Sequence, residues 1–169
     1  MAETQAQEKA PEKEKMTIVV FSGELDKAIA AFIVATTGAS MGMEVSMFFT
    51  FWGLNILKQN DGRSGGKGFF QKMMNLMNRG GTKRLKLSHF HMLGLGTGMM
   101  KKFMKESKVP SIDEFITMAT DMGVKMVPCS TSCGVMGVGE GAFREEVGSL
   151  AGAAFFLNEA RQSKVTLFI

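Results

Sequence analysis

Cysteine is scarce in this chain of 169 residues: Cys129 and Cys133 are the only two. Two cysteines cannot form a disulfide framework, and the N-terminal stretch does not read as a signal peptide. A reducing, cytoplasmic setting is therefore expected, with membrane association left open. Long apolar runs are also missing. The nearest candidate, residues 28–43, is diluted by Thr36, Thr37, Gly38 and Ser40, which excludes a membrane span of about 18 or more apolar residues. Histidine is limited to His89 and His91. In a strand the two would share one face, but with so few partners a satisfied or exposed pair is expected rather than a metal site. Arginine is absent from the ten residues after either cysteine, so a loop cradling phosphate or sulfate beside the nucleophile is missing.

Other motifs fail by a residue or two. The stretch Gly62-Arg63-Ser64-Gly65-Gly66-Lys67-Gly68 is one residue short of a phosphate loop, and Gly68 stands where a hydroxyl is needed. Gly94, Gly96 and Gly98 do not meet the dinucleotide fingerprint and read as a loop. Cys129 and Cys133 are four apart, not three as in a thioredoxin pair.

What is present is methionine, 16 residues of it, and a local excess of positive charge. Thioethers fill irregular cores and adaptable contact surfaces. Between residues 61 and 108 eleven lysines and arginines face two acids, more charge than the whole chain's +4. Such a segment attracts anions and acidic partners. It is short of aromatic stacking residues, so no nucleic-acid partner is expected. Phe69, Phe70, Met73, Met74 and Met77 add apolar surface, which points to a homo-oligomer.

Residues 1–15 lack apolar periodicity and are expected to form a disordered tail. One domain then spans 16–169, with the Met-rich basic insertion at about 61–108. Strands are expected at Thr17–Phe21, Glu44–Thr50, Val124–Pro128 and Val165–Phe168, where apolar and β-branched residues run together. Helices are expected over Lys27–Ala39, with Ser22 or Asp26 as cap, and from Ser111 to Met122, opened by a Ser111/Glu114 capping box. Others are expected at Phe69–Asn78, Met99–Lys105 and Gly152–Gln162, and a weak strand at Lys86–Met92. Alternating strands and helices make an α/β fold with a mainly parallel sheet.

The functional reading centres on Val124–Gly139. An apolar strand leads to Cys129, and a helix begins just after it. A thiol at a helix N-terminus meets free N–H groups that favour the reactive thiolate; the alternative is a small buried hydrophobe. Ligands of parallel sheets bind at the C-terminal strand ends. That rule places Cys129, Ser22-Gly23 and Phe51-Trp52 on one edge. Trp52 either packs in the core or faces substrate there. The expected site is Cys129 and Cys133 as catalytic residues, with Ser22, Gly23, Trp52, Ser130 and Ser132 binding substrate. If the helix starts at Ser130, Cys133 lies one turn beyond Cys129, with Cα atoms about 6 Å apart. Cys133 then acts as a resolving thiol or merely fills space.

Several blocks resemble one family. Phe21-Ser22-Gly23-Glu24-Leu25-Asp26-Lys27-Ala28, Met41-Gly42-Met43-Glu44-Val45 and Phe48-Phe49-Thr50-Phe51-Trp52-Gly53-Leu54 carry the likeness. So do Gly98–Lys102, Pro110–Glu114, Met136-Gly137 and Val165–Ile169. Together they are similar to the DsrE/DsrF/DsrH-like family, in its branch often labelled peroxiredoxin family protein. The resemblance implies a DsrE-like three-layer fold, assembly as trimers or hexamers, and sulfur relay. One cysteine, matched by Cys129, would carry a persulfide or thiosulfonate. Partners would be sulfur-carrier proteins of the TusA type or other thiol acceptors, and anionic sulfur compounds, with no cofactor. Ser132 keeps the serine of the branch's Cys-x-x-Ser-Met pattern, but Cys133 replaces its methionine. Peroxidase activity is not expected. Ser130 lies three residues before Cys133, but Met126 holds the position seven before, and Pro128 is five before. The competing function is a non-catalytic binding or scaffold subunit that uses the Met-rich basic segment.

Overall fold

The computed structural model describes residues 13–61 and 68–169. Most of the expected tail and the glycine loop at 62–67 lie outside the described residues. Four strands form one parallel sheet in the order β3-β2-β1-β4: β1 (Lys15–Val20), β2 (Glu44–Phe49), β3 (Lys125–Pro128) and β4 (Val165–Phe168). β1 and β2 are buried over five of their six residues, as strands covered on both faces must be.

Side chains alternate between the two faces. Val45, Met47 and Phe49 enter the main core, where α1 (Leu25–Ser40) packs. Phe32 of α1 lies 6.3 Å from Phe49 and 6.3 Å from Phe115, ring centre to ring centre. Ser46 and Phe48 face the opposite layer. Ser46 donates to Glu159 at 3.3 Å, and the Phe48 ring stacks on Phe156 at 5.6 Å. The chain between β2 and β3 holds α2 (Leu54–Leu57), α3 (Phe69–Met77), α4 (Leu95–Glu106) and α5 (Ile112–Asp121). After β3 come α6 (Ser130–Met136) and α7 (Ala153–Ala160), and α7 covers the Phe48 face. The result is a three-layer α/β fold. Among the described residues no helix is long and apolar enough to cross a membrane.

The capping box forms as read: Ser111 Oγ accepts from the Glu114 N–H, and Glu114 accepts from the Ser111 N–H at 2.7 Å. Other local readings fail. Neither Ser22 nor Asp26 caps α1; Glu24 holds that position without a side-chain bond. Asp26 instead accepts from the Ser88 N–H at 3.0 Å, a contact 62 residues away in the chain. Residues 86–92 are not a strand. Lys86 makes one isolated bridge to Glu24, and no neighbouring strand extends the ladder. Gly96 and Gly98 are not in a loop but inside α4. A Cβ on Gly96 would lie 1.7 Å from the Phe90 carbonyl oxygen, so that glycine permits a close approach. His91 bonds Thr97 at 2.9 Å and His89 is exposed. Among the described residues no three His, Cys, Asp or Glu side chains gather as a metal site.

Candidate functional site

Cys129 follows the last residue of β3. Its N–H donates to Phe49 O at 2.8 Å, so the backbone continues the β2 ladder by one residue. On the other side, Ser130 N–H donates to Ala151 O at 2.9 Å and Ala151 N–H to Pro128 O at 3.1 Å. Cys129 is thus clamped between a strand and the loop before α7. It is also the N-cap of α6, with ψ at 117°, which is extended backbone. The side chain is 5% exposed and packs with Phe48 and Val127, against Ala151, Phe155 and Phe156.

Burial in that apolar cluster pushes the thiol up. Four donors act in the opposite direction and outweigh it: the Ser132 hydroxyl, the Ser132 and Thr131 N–H groups, and the Thr50 hydroxyl. The net effect holds Cys129 below the ordinary cysteine range. Hydrogen bonds to the charged form are what favour a thiolate. Ser132 is 2% exposed, and its Oγ lies 2.6 Å from Thr50 Oγ1. The two hydroxyls therefore form a short relay from the end of β2 to the sulfur. Thr50 and Thr131 both donate to the Cys129 sulfur, and the sequence reading missed them as candidate site residues. For Thr50 a signal existed: a hydroxyl residue directly after a neighbouring strand, on the edge where ligands bind.

Cys133 lies in a different environment. It belongs to the main core with Met136, Ile116 and Phe143, at 3% exposure. Burial and the nearby Cys129 push its thiol up to about 11, while Lys58 acts the other way and Glu140 adds to the rise. Lys58 is fully buried, and burial pulls its ammonium down. Its one hydrogen bond among the described residues goes to Asn78 O at 3.3 Å. Cys133 at neutral pH is a protonated thiol in a packed interior, a poor nucleophile. Cys133→Met is therefore expected to leave Cys129 chemistry intact. Alkylation at pH 7 followed by peptide mapping should label Cys129 and leave Cys133 unmodified in the folded chain.

The substrate residues divide into two groups. Ser130 is exposed beside Cys129, and Ser132 touches it through the hydroxyl. Ser22, Gly23 and Trp52 instead line a cavity of about 620 Å³ that no cysteine reaches. Their loops abut tightly: a Cβ on Gly23 would lie 2.4 Å from Trp52 O, and one on Gly53 would lie 2.1 Å from Val20 O. Core packing does not hold Trp52, which is 46% exposed. The strand ends do share one edge and the 51–53 turn lies against α6, but no residue of the thiol site lines the cavity. Among the described residues the thiol pocket therefore consists of one cysteine, two hydroxyls and backbone N–H groups. Such a set can stabilise a sulfur anion; it supplies no strong acid or base.

Comparison with known proteins adds to this geometry. The sequence model of the DsrE/DsrF/DrsH-like family matches residues 12–168. The uncharacterized protein YrkE of Bacillus subtilis (strain 168) is 37% identical over 155 residues, covering 92% of this chain and 96% of that protein. The sulfur carrier protein DsrE2 of Allochromatium vinosum is 34% identical over 166 residues, covering 94% and 99%. Among solved structures, the crystal structure of the ychN protein from E. coli superposes with a TM-score of 0.54. It is 9% identical, and the match covers 92% of this chain and 99% of that one. That likeness concerns the fold.

Proposed function

The chain belongs to the DsrE/DsrF/DrsH-like family, and from that premise we propose that it is a sulfur-relay protein acting through Cys129. The observation that carries this reading is the donor set around Cys129, which lowers the thiol's pKa despite burial and so favours the reactive thiolate. The Cys129 thiolate attacks the sulfane sulfur of a donor R–S–S⁻. A new S–S bond forms, the donor's S–S bond breaks, and RS⁻ leaves, taking a proton from water. The product is Cys129–S–S⁻; with tetrathionate the thiolate attacks an inner sulfur, the central S–S bond breaks, thiosulfate leaves and Cys129–S–S–SO₃⁻ forms. An acceptor thiolate then attacks the outer sulfur and expels the Cys129 thiolate. Neither step needs a precise general acid, because both leaving groups are stable sulfur anions. The relative named as a sulfur carrier supports this assignment. Intact mass after incubation with thiosulfate, tetrathionate or polysulfide tests it.

The acceptor in this reading is a sulfur-carrier protein of the TusA type or another thiol, in the cytoplasm. Lys83, Lys101, Lys105 and Lys108 rim a cleft of about 950 Å³, which suits an acidic carrier. Transfer rates to such a partner should fall several-fold from low to high salt. A rate unchanged across the series removes the steering role.

Assembly as a homo-oligomer, a trimer or hexamer, belongs to the same proposal. Phe90, Met92, Leu93, Leu95, Met99 and Phe103 are each more than half exposed. Six large apolar side chains within fourteen residues exceed what a monomer's surface usually carries. Light scattering at micromolar concentration should give a mass of at least three chains, and a monomer would remove the assembly. The same ridge favours the second reading, a non-catalytic binding subunit. Absence of any adduct with every donor would turn the assignment that way.

A further inference from the structure

The cavity lined by Ser22, Gly23 and Trp52 lies beyond the C-terminal ends of β1 and β2. The loop after β1 forms one wall, and residues 76–87 form the opposite one. Crevices outside the carboxyl ends of parallel strands are where α/β sheets hold ligands. Small sulfur anions of the kind Cys129 would use do not match this space. They would fill a fraction of about 620 Å³ and would make no use of its apolar wall.

The wall chemistry points to a larger anion. Lys27, Arg79, Arg84 and Lys86 face one acid, Glu24, which already pairs with Lys27 at 2.6 Å. The Arg84 guanidinium is held by the carbonyls of Asn60 and Gly80, at 3.0 and 3.1 Å, which fixes its charge at the rim. Arg79 and Lys86 form no ion pair among the described residues, so both are free for a ligand. Trp52 and Phe21 add half-exposed aromatic rings.

We infer that this cavity is a binding site, separate from Cys129, for an organic anion that joins a flat ring to phosphate groups, the chemistry of a nucleoside diphosphate. The ring stacks on Trp52, beside Phe21. The phosphates pair with Arg79, Lys86 and Lys27 through charge-assisted hydrogen bonds. The inference does not rest on sulfur relay.

Trp52 is the only tryptophan of the chain, so its fluorescence reports on this cavity alone. The full chain is titrated with adenosine diphosphate, pyrophosphate and adenosine. Expected is saturable quenching by the diphosphate, with a half-point about tenfold or more below that of either half molecule. The double variant Arg79→Ala/Lys86→Ala removes two exposed side chains and should keep the wild-type circular dichroism. Its half-point should rise about tenfold or more. Cys129→Ser should bind as wild type, so the outcome is independent of sulfur loading. The site is overturned by any of three results. One is no saturable response up to millimolar ligand by fluorescence and calorimetry. Another is equal affinity for pyrophosphate or adenosine alone. The third is unchanged binding in the double variant.

Discussion

Replacing Cys129 by serine should abolish sulfur loading, while wild type and Cys133→Met both gain the mass of added sulfur from a polysulfide or thiosulfate donor. The expected effect is complete rather than partial, because the step forms a bond to that one sulfur atom. A hydroxyl cannot substitute, since it stays protonated at neutral pH and forms no stable S–S link. Stability should change little, because serine is close to cysteine in size and finds Ser132 and Thr50 as partners. Denaturation profiles can confirm that the variant is folded. An adduct retained in Cys129→Ser and lost in Cys133→Met would place the chemistry on the wrong cysteine. Cys133 would then have to react despite a thiol pushed up to about 11.

The pH profile of Cys129 alkylation should shift upward in the double variant Thr50→Val/Ser132→Ala. Both hydroxyls favour the thiolate, so their loss raises the pKa toward the value that burial alone would set. The sign follows directly. Below its pKa a thiol loses about tenfold in thiolate for each unit of upward shift. Losing both donors therefore lowers the thiolate fraction below the pKa, while a more basic thiolate is more nucleophilic and returns part of the loss. The net expectation is alkylation several-fold slower at pH 7, with the two profiles converging and crossing at alkaline pH. The double change is preferable to Ser132→Ala alone, which leaves the Thr50 hydroxyl facing an empty position. Removing both members of a buried pair leaves no orphaned group. Rates that stay equal at pH 7 would mean the backbone N–H groups of Thr131 and Ser132 hold the thiolate unaided.

The difference between Cys129 and Cys133 could not have been read from spacing. Four residues apart in a helix, they fall on one side of it, and that side predicts a pair. The tertiary structure instead gives one thiol to each of two apolar clusters. Cys129 ends a strand and faces the α7 layer, while Cys133 is one turn into α6 and enters the main core. Their pKa values move in opposite directions because their surroundings differ.

Local pattern was enough wherever the determining interactions are local. Apolar runs marked all four strands, and in β1, β2 and β3 nearly every residue is buried, as strands covered on both faces must be. Ser111 and Glu114 marked the start of α5, because a capping box satisfies its own N–H groups within four residues. The fold class and the position of Cys129 at a strand end followed from such signals, together with the family likeness. What required the tertiary structure was every feature set by distant partners. Gly96 carries the same local signal as a loop glycine, and only the nearness of Phe90 O explains its place in a helix. Asp26 reads as a cap until Ser88 arrives from 62 residues away. The Thr50 hydroxyl meets Ser132 across 82 residues, and both hydroxyls help to lower the Cys129 pKa. A side chain's reactivity depends on the donors within hydrogen-bond reach, and packing of the sheet layers, not chain order, chooses them.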